Sequence, residues 1–495
     1  MYKKIIMKSL AILSVACAIL LCACKHMDDI QPYSIVTSQS MWQDEGDASS
    51  GVTGVYNQFR TTFDDREFLF WFELRVGFWD FGESGGGAGS SNWTDLFDNQ
   101  LSSSTTPGTN WEDLYRTING ANLALKYIPD IDFSDEDEKN SLLADSYFIR
   151  AFTYFALARI YGDVPILTQG FESADAEDLY PVRAPVAEVF ALIKSDIDAA
   201  IAAIPDDDPR DRILASRDAI NMLKADVYLW TAKRMGGGNP DLNTAESAVD
   251  QVLGNSNYQL LADYEQIFRV DQNDEIIFSI YFDISEADNQ YGRNFPFQIG
   301  AVPEEYHNNP VMVGAHAQWF TLTDHYVNNY LLKDPTDTRA GVINQDFDDG
   351  TRIFRWVNKF QGEYLEGTRF ATDDTRVYRL AEAILFKAEI LNALGSSVEA
   401  VSYLNQIAER AYGVSDYYST ALTQAELDDA ILDERLIEFG VEGKSWFDMI
   451  RFGKAFERIS SLTGRENEYD GNILLFPIDP ESITTNPSIT QTPGF

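Results

Sequence analysis

Apolar residues recur at every third or fourth position along most of the chain after residue 110. This spacing constrains the fold more than any other feature, because it places the apolar side chains on one face of each helix. A helix with one apolar face needs a neighbour that covers that face. The helical segments come in pairs, which are 134–161 with 185–204, 216–235 with 241–253, and 376–394 with 398–412. The sequence therefore predicts a mainly α protein built from stacked helix pairs.

The last pair carries small residues where two helices would approach closely. These residues are Ala381, Ala383, Gly395, Ala400 and Ala408. Their placement resembles a tetratricopeptide unit, and several such units stack into a curved scaffold. The spacing between pairs is irregular, which predicts a broken repeat with helices at about 111–254 and 374–452 and long insertions at about 62–110 and 255–372.

Local signals predict where some of these segments begin and end. Ser134 precedes four acidic residues, which is typical of an N-cap followed by a negatively charged first helical turn. Gly162 should end the same helix shortly before Pro165. The run 276–282 is typical of a strand, and the Pro-rich tail from residue 476 should form an extended strip over the core.

The first 24 residues are typical of an exported lipoprotein. Lys3, Lys4 and Lys8 precede an apolar run from residue 10 to 21, which has the length of a secretory signal and is too short to span a bilayer. The sequence Leu21-Cys22-Ala23-Cys24 resembles a bacterial lipoprotein box. We predict a signal peptide at 1–23, acylation of Cys24 and a single mature domain at 24–495. Ordinary signal cleavage with Cys24 as a bystander is the alternative.

Charge and composition restrict the partners. The chain has 78 acidic and 38 basic residues, a formal net charge of −40, and 45% hydrophobic residues. The apolar fraction suffices for a large core. The negative charge argues against nucleic acid and anionic lipid surfaces, because each phosphate would be repelled on approach.

No motif identifies a catalytic centre, a cofactor site or a metal site. Residues 82–86, Gly-Glu-Ser-Gly-Gly, match the nucleophile elbow of hydrolases, but the glycines after Ser84 disfavour the helix that this motif requires. His307, His316 and His325 are nine residues apart, a spacing that points successive side chains to opposite faces of a helix or strand. A carboxylate pair of the glycosidase kind cannot be located among 78 acidic residues.

The two insertions are rich in aromatic residues interleaved with polar ones. Flat aromatic faces suit the C–H faces of sugar rings, and carboxylates, amides and arginine can bind vicinal hydroxyls. We place a candidate site between 70–95 and 290–330, although at least half of the rings there should simply pack the loops onto the helices. The stacking candidates are Trp79, Trp93 and Trp319. The polar candidates are Arg75, Asp80, Asn92, Asp95 and, more remotely, Arg369.

Four blocks of sequence, in order, carry a family resemblance. They are Trp111 with Leu114-Tyr115; Arg150-Ala151-Phe152 through Tyr161-Gly162-Asp163-Val164-Pro165; Glu434-Arg435 through Glu442-Gly443-Lys444-Ser445-Trp446-Phe447-Asp448 to Arg451; and Phe476-Pro477-Ile478 with the tail Pro493-Gly494-Phe495. Together they resemble the SusD/RagB family of outer-membrane nutrient-binding lipoproteins. Ser445 stands where the family usually has arginine. Arg150 and Arg435 fall within apolar helices, so we expect them to bridge carboxylates of the scaffold.

The resemblance implies a tetratricopeptide-like scaffold of about four helix pairs, displayed on the outer membrane through a lipid anchor. It also implies capture of an oligosaccharide or polysaccharide for a SusC-like TonB-dependent transporter, without catalysis. Peptide binding in the same kind of uptake complex is the alternative, and a surface hydrolase that uses Ser84 or a carboxylate pair is a more remote one.

Overall fold

The computed structural model describes residues 41–64, 66–83, 91–172, 180–206, 210–286 and 288–495, and the following account concerns the unit Asp44–Phe495. The predicted signal peptide at 1–23, Cys24 and Ser84 lie outside the described residues. None of the described helices is long and apolar enough to cross a membrane.

Helices dominate the described residues, which contain 17 of them. In chain order they are α1 (Glu45–Asp64), α2 (Arg66–Phe72), α3 (Thr94–Phe97), α4 (Glu112–Tyr127), α5 (Glu136–Tyr161), α6 (Val186–Ala203), α7 (Arg217–Arg234), α8 (Gly238–Leu253), α9 (Gln266–Arg269), α10 (Asp324–Tyr326), α11 (Ala340–Ile343), α12 (Leu380–Ala393), α13 (Ser397–Tyr412), α14 (Gln424–Glu438), α15 (Ser445–Arg451), α16 (Ala455–Arg458) and α17 (Pro480–Thr485). The prediction of a mainly α fold with minor β structure is confirmed.

The long helices pack as the predicted pairs. Helix α5 packs on α6, α7 on α8, and α12 on α13, while α14 packs on both α12 and α15. Helix α1 packs on α4 and α5, although it precedes the region in which the sequence predicted helices. The buried faces of these helices join into one large hydrophobic core.

Ten short strands form five two-stranded sheets among the described residues. They are β1 (Trp79–Phe81), β2 (Ile276–Ile280), β3 (Phe297–Gln298), β4 (Val313–Gly314), β5 (Phe320–Leu322), β6 (Asn344–Asp348), β7 (Ile353–Val357), β8 (Glu363–Leu365), β9 (Thr368–Phe370) and β10 (Thr375–Arg379). The pairs are β1–β5, β2–β10, β6–β7 and β8–β9, all antiparallel, and β3–β4, which is parallel. The predicted strand after residue 275 is thus present as β2.

The structure corrects three local predictions. Helix α12 begins at Leu380 rather than at 376, because the five preceding residues form β10 and are all buried against β2. The N-cap of α5 is Asp135, whose carboxylate accepts from the Asp137 amide, while the Ser134 hydroxyl donates to Glu45. The tail is an extended strip only in part, because Asp479 caps the short helix α17. Gly162 ends α5 as predicted, with a φ of 76°.

Two signature arginines hold scaffold helices together through buried ion pairs. Arg150 on α5 donates from Nε and Nη2 to the two carboxylate oxygens of Asp196 on α6, at 2.8 and 2.6 Å. Arg435 on α14 makes the same kind of paired contact with Asp448 on α15, at 2.8 and 3.0 Å. Both predictions that these arginines bridge carboxylates are confirmed. Paired contacts of this geometry fix the relative orientation of the two helices they join.

Candidate functional site

The two aromatic segments singled out in the sequence meet in the fold. Strand β1 pairs with β5, with Trp79 opposite Leu322 and Phe81 opposite Phe320. The pairing continues one step beyond the strands, where the Gly82 amide donates to the Trp319 carbonyl at 2.9 Å. Side chains that are 240 residues apart in sequence, such as Trp79 and Trp319, are therefore held on neighbouring backbone segments.

Gly82 allows the chain to pass unusually close to Gln318. A Cβ atom on Gly82 would lie 2.7 Å from the Gln318 carbonyl oxygen, so any larger residue would force the two segments apart. The buried Gln318 amide donates to the carbonyls of Phe295 and Arg355 at 3.0 and 2.9 Å, and its oxygen accepts from the Glu83 amide at 3.1 Å. Gln318 thus fixes the turn that follows β1.

Trp319 is the tryptophan whose ring is accessible where the two aromatic segments meet. Of the eight tryptophans in the unit, it is the only one that is not buried. Its ring meets the Trp93 ring edge to face at 5.2 Å, and Trp93 stacks at 5.1 Å on Phe320. The Arg66 guanidinium lies 5.6 Å from the Trp93 ring and 5.8 Å from the Trp319 ring. These contacts fix the orientation of Trp319 and leave part of its surface open.

Burial removes Trp79 and Arg75 from the candidate site, which corrects the expectation that they contact ligand. Trp79 is 3% exposed, stacks on Phe295 at 5.7 Å and donates from Nε1 to Glu73 at 3.2 Å. Arg75 is fully buried, donates to Asn99 at 2.8 Å and lies over the Trp446 ring. Burial also lowers the pKa of Arg75 to about 9.

Trp93 is only 8% exposed and therefore supports Trp319 more than it offers a face of its own. This too corrects the prediction, which treated the three tryptophans as equivalent stacking rings. The difference follows from position, because Trp93 lies between Phe70 at 5.7 Å and Phe320 while Trp319 lies outside β5.

The polar candidates differ in their exposure and in the hydrogen bonds that they already make within the protein. Asp80 and Asn92 are exposed. Asp95 is half-buried and accepts from the hydroxyls of Thr105 and Thr106 at 3.1 and 3.2 Å, so it already orders its own loop. Arg369 lies on β9 of the β8–β9 hairpin, where it donates to the Val313 carbonyl on β4 and to Asn308 at 2.9 and 2.7 Å, away from the β1–β5 pair.

Three polar residues, Arg66, Glu83 and Arg352, are not among the candidates chosen from the sequence. Arg66 begins α2 and stacks against both tryptophans of the cluster. Glu83 pairs with Arg352 at 2.8 Å, and this pair spans 269 residues of sequence. Nothing in the local pattern around Arg66 or Arg352 indicates these contacts, since both arise from tertiary packing. We define the Trp319 site as Trp319, Trp93, Arg66, Asp80, Asn92, and the pair of Glu83 and Arg352.

A buried carboxyl group, that of Glu73, lies next to Trp79 of β1. Glu73 accepts from the Gly443 amide at 2.7 Å and from Trp79 Nε1, and so links β1 to the turn before α15. Burial raises the pKa of Glu73 from 4.5 to about 7. Between about pH 4.5 and pH 7, the carboxyl group of Glu73 is therefore largely protonated in the folded protein and largely ionised in the unfolded chain.

We expect Glu73→Gln to flatten the pH dependence of stability. Because the pKa of Glu73 is higher in the folded protein than in the unfolded chain, protonation of Glu73 stabilises the fold fully at pH values below the unfolded-state pKa. This stabilisation is lost as pH rises through 7. Relative to the wild type, the free energy of unfolding of the variant should improve by about 2 kcal/mol between about pH 5 and pH 7. Urea titrations across that range measure the change. The exposed Glu83→Gln is the control, and parallel pH profiles for wild type and Glu73→Gln would contradict the assignment.

Comparison with known proteins identifies the family. A sequence model described as the SusD family matches residues 318–495, and a second, described as starch-binding associating with outer membrane, matches residues 83–229. The chain belongs to the SusD/RagB family. The two matched regions together contain Glu83, Asn92, Trp93, Trp319 and Arg352 of the Trp319 site. Arg66 and Asp80 lie before the first matched region.

The similarity of this SusD/RagB protein to its relatives extends along most of its sequence. It is 25% identical to a SusD-like protein of Formosa agariphila over 95% of each chain. It is 24% identical to the starch-binding protein SusD of Bacteroides thetaiotaomicron over 71% of this chain and 72% of that one. The fold matches NanU of B. fragilis with a TM-score of 0.80 and 26% identity, covering 94% of this chain and all of that one. One of these relatives is therefore named as a starch-binding protein.

Proposed function

We propose that the protein is a cell-surface lipoprotein that binds an oligosaccharide at the Trp319 site and delivers it to a SusC-like TonB-dependent transporter. The observation that carries the proposal is the partly exposed Trp319 ring, which Trp93 and Arg66 hold in place, with the exposed Asp80 and Asn92 on neighbouring segments. Family membership and the starch-binding relative support it.

The Trp319 site has the chemistry that sugar binding requires. An aromatic face packs against the apolar C–H face of a pyranose ring, and the burial of that face is favourable. Asp80 offers a carboxylate and Asn92 an amide, and Glu83, whose backbone amide bonds to Gln318, forms an ion pair with Arg352. Carboxylates, amides and guanidinium groups together both accept from and donate to hydroxyls. A net charge of −40 favours a neutral glycan over a polyanionic one.

A combined array of glycans and peptides tests the class of ligand. We expect saturable binding of one class of neutral oligosaccharide, with the titrated sugar recovered intact by chromatography. Binding of peptides alone would instead support the peptide-binding alternative. Accumulation of cleaved product would support a hydrolase, and loss of that product in Ser84→Ala would assign the chemistry to Ser84.

We expect Cys24→Ser to release the protein from the membrane. Acyl chains on Cys24 would supply the attachment free energy, and a hydroxyl cannot receive them in the same processing pathway. Fractionation of cells that express each form measures the change, with Cys22→Ser as the matched control that should remain in the membrane fraction. Equal membrane retention of both variants would contradict acylation of Cys24.

A further inference from the structure

A groove of about 590 Å³ lies between the first turns of α4, the segment 165–171 and α17. Its volume falls in the range of sites that bind small molecules. None of the residues that define the Trp319 site lines it. The groove is therefore a separate feature of the fold.

The floor of the groove is aromatic and rigid. The Trp111 ring meets the rings of Tyr115 and Tyr161 at 5.6 and 5.4 Å, both edge to face. The Tyr115 hydroxyl donates to the Pro165 carbonyl at 2.8 Å. Asn119 exchanges two hydrogen bonds with the backbone of Phe171, at 3.1 and 2.7 Å. These contacts hold the floor in place before any ligand arrives, which lowers the entropic cost of binding.

Three polar groups of the groove lack a hydrogen-bond partner within the described part of the chain. Trp111 is 94% buried as a whole residue, yet its indole N–H donates to no acceptor among the described residues and remains accessible from the groove. The Ser482 hydroxyl and the carboxylate of the exposed Glu481 likewise have no side-chain hydrogen bond. The groove thus offers one accessible indole donor, one hydroxyl and one carboxylate beside aromatic rings, and each of these groups can bind a hydroxyl of a ligand.

We propose that this groove is a second carbohydrate site, which binds a short neutral oligosaccharide. Aromatic side chains accept the C–H face of a sugar, while the indole N–H and the Glu481 carboxylate bind its hydroxyls. Glu112, Asp479 and Glu481 outnumber Arg116 around the groove, which disfavours anionic sugars. The class of ligand rests on the proposed function, but the residues and the location are independent of the Trp319 site.

Fluorine NMR of the full mature chain labelled with fluorotryptophan can observe both sites at once. Trp111→Phe and Trp319→Phe assign the two resonances. The probes are maltoheptaose, xylohexaose, laminarihexaose and mannohexaose, each titrated to millimolar concentration. We expect at least one probe to shift the Trp111 resonance saturably, and to do so still in Trp319→Ala. A shift of Trp319 alone would overturn the second site and leave the proposed function standing, whereas no shift of either would overturn both.

Variants of the groove provide the second measurement. Trp111→Phe keeps an aromatic ring but removes the N–H, and Glu481→Gln removes the charge. Each should weaken binding in the groove by about two- to tenfold, the effect of one lost hydrogen bond. Calorimetry in the Trp319→Ala background measures this affinity in isolation. Trp230→Phe, at a buried tryptophan outside the groove, is the control. Unchanged affinity in both groove variants would overturn the proposal.

Discussion

Replacement of Arg150 by Met is expected to lower the free energy of unfolding by about 3–5 kcal/mol, the cost of breaking a buried ion pair from one side. The side chains of Arg150 and Asp196 are only 8% and 3% exposed. Arg150 also donates to the side-chain Oδ1 of Asn122 at 2.8 Å, so the substitution removes three hydrogen bonds between α4, α5 and α6. Met fills much of the space but leaves the Asp196 carboxylate buried without a cation. Urea unfolding measures the loss.

The pH dependence and a double variant separate charge from packing. Burial raises the pKa of Asp196 even in the presence of Arg150. Without Arg150 the pKa must rise further, so the deficit of the variant should grow as pH increases. Arg150→Met with Asp196→Leu removes both charges and should recover more than half of the loss. The exposed Arg116→Met should cost less than about 1 kcal/mol. A double variant as unstable as Arg150→Met would show that packing, and not the unpaired charge, is responsible.

Much of the helical scaffold could be predicted because its signals are local. The three-to-four spacing within α5 and the positive φ of Gly162 at its end depend on neighbouring residues in the chain. Strand β10 shows the limit of this reasoning. All five of its residues are buried, so no alternation distinguishes it from the first turn of α12, and only its pairing with β2 decides the outcome.

The candidate site was only partly predictable because exposure depends on tertiary packing. Sequence placed the 70–95 and 290–330 segments together, and the β1–β5 pairing joins them. Yet Trp79 and Trp319 have similar polar and aromatic surroundings in the sequence. Trp79 is covered by Phe295 and Glu73, whereas Trp319 is only partly buried where β1 and β5 meet. The contact between Glu83 and Arg352 likewise joins residues that are 269 positions apart, so it depends on tertiary structure.

Trp319→Ala is expected to weaken glycan binding by about thirty- to hundredfold, or about 2–3 kcal/mol, because a stacking ring contributes both its buried area and its aromatic contact. Since the ring is partly exposed in the free protein, its loss should lower thermal stability less than the loss of a buried tryptophan would. Calorimetric titration with the glycan identified by the array measures the affinity, and a melting curve measures the stability. Trp319→Phe, which keeps part of the stacking surface, should give an intermediate affinity.

Tyr417→Ala provides the matched control for this prediction. Tyr417 is also a partly exposed ring, stacked at 4.0 Å on Tyr412, but it belongs to the segment between α13 and α14 and not to the Trp319 site. Its loss should leave affinity unchanged. If Trp319→Ala bound the glycan as tightly as the wild type while remaining folded, the ligand would have to lie elsewhere. If Trp319→Ala unfolded the protein while Tyr417→Ala did not, Trp319 would be a packing residue, because a ring reserved for ligand stabilises the complex and not the free fold.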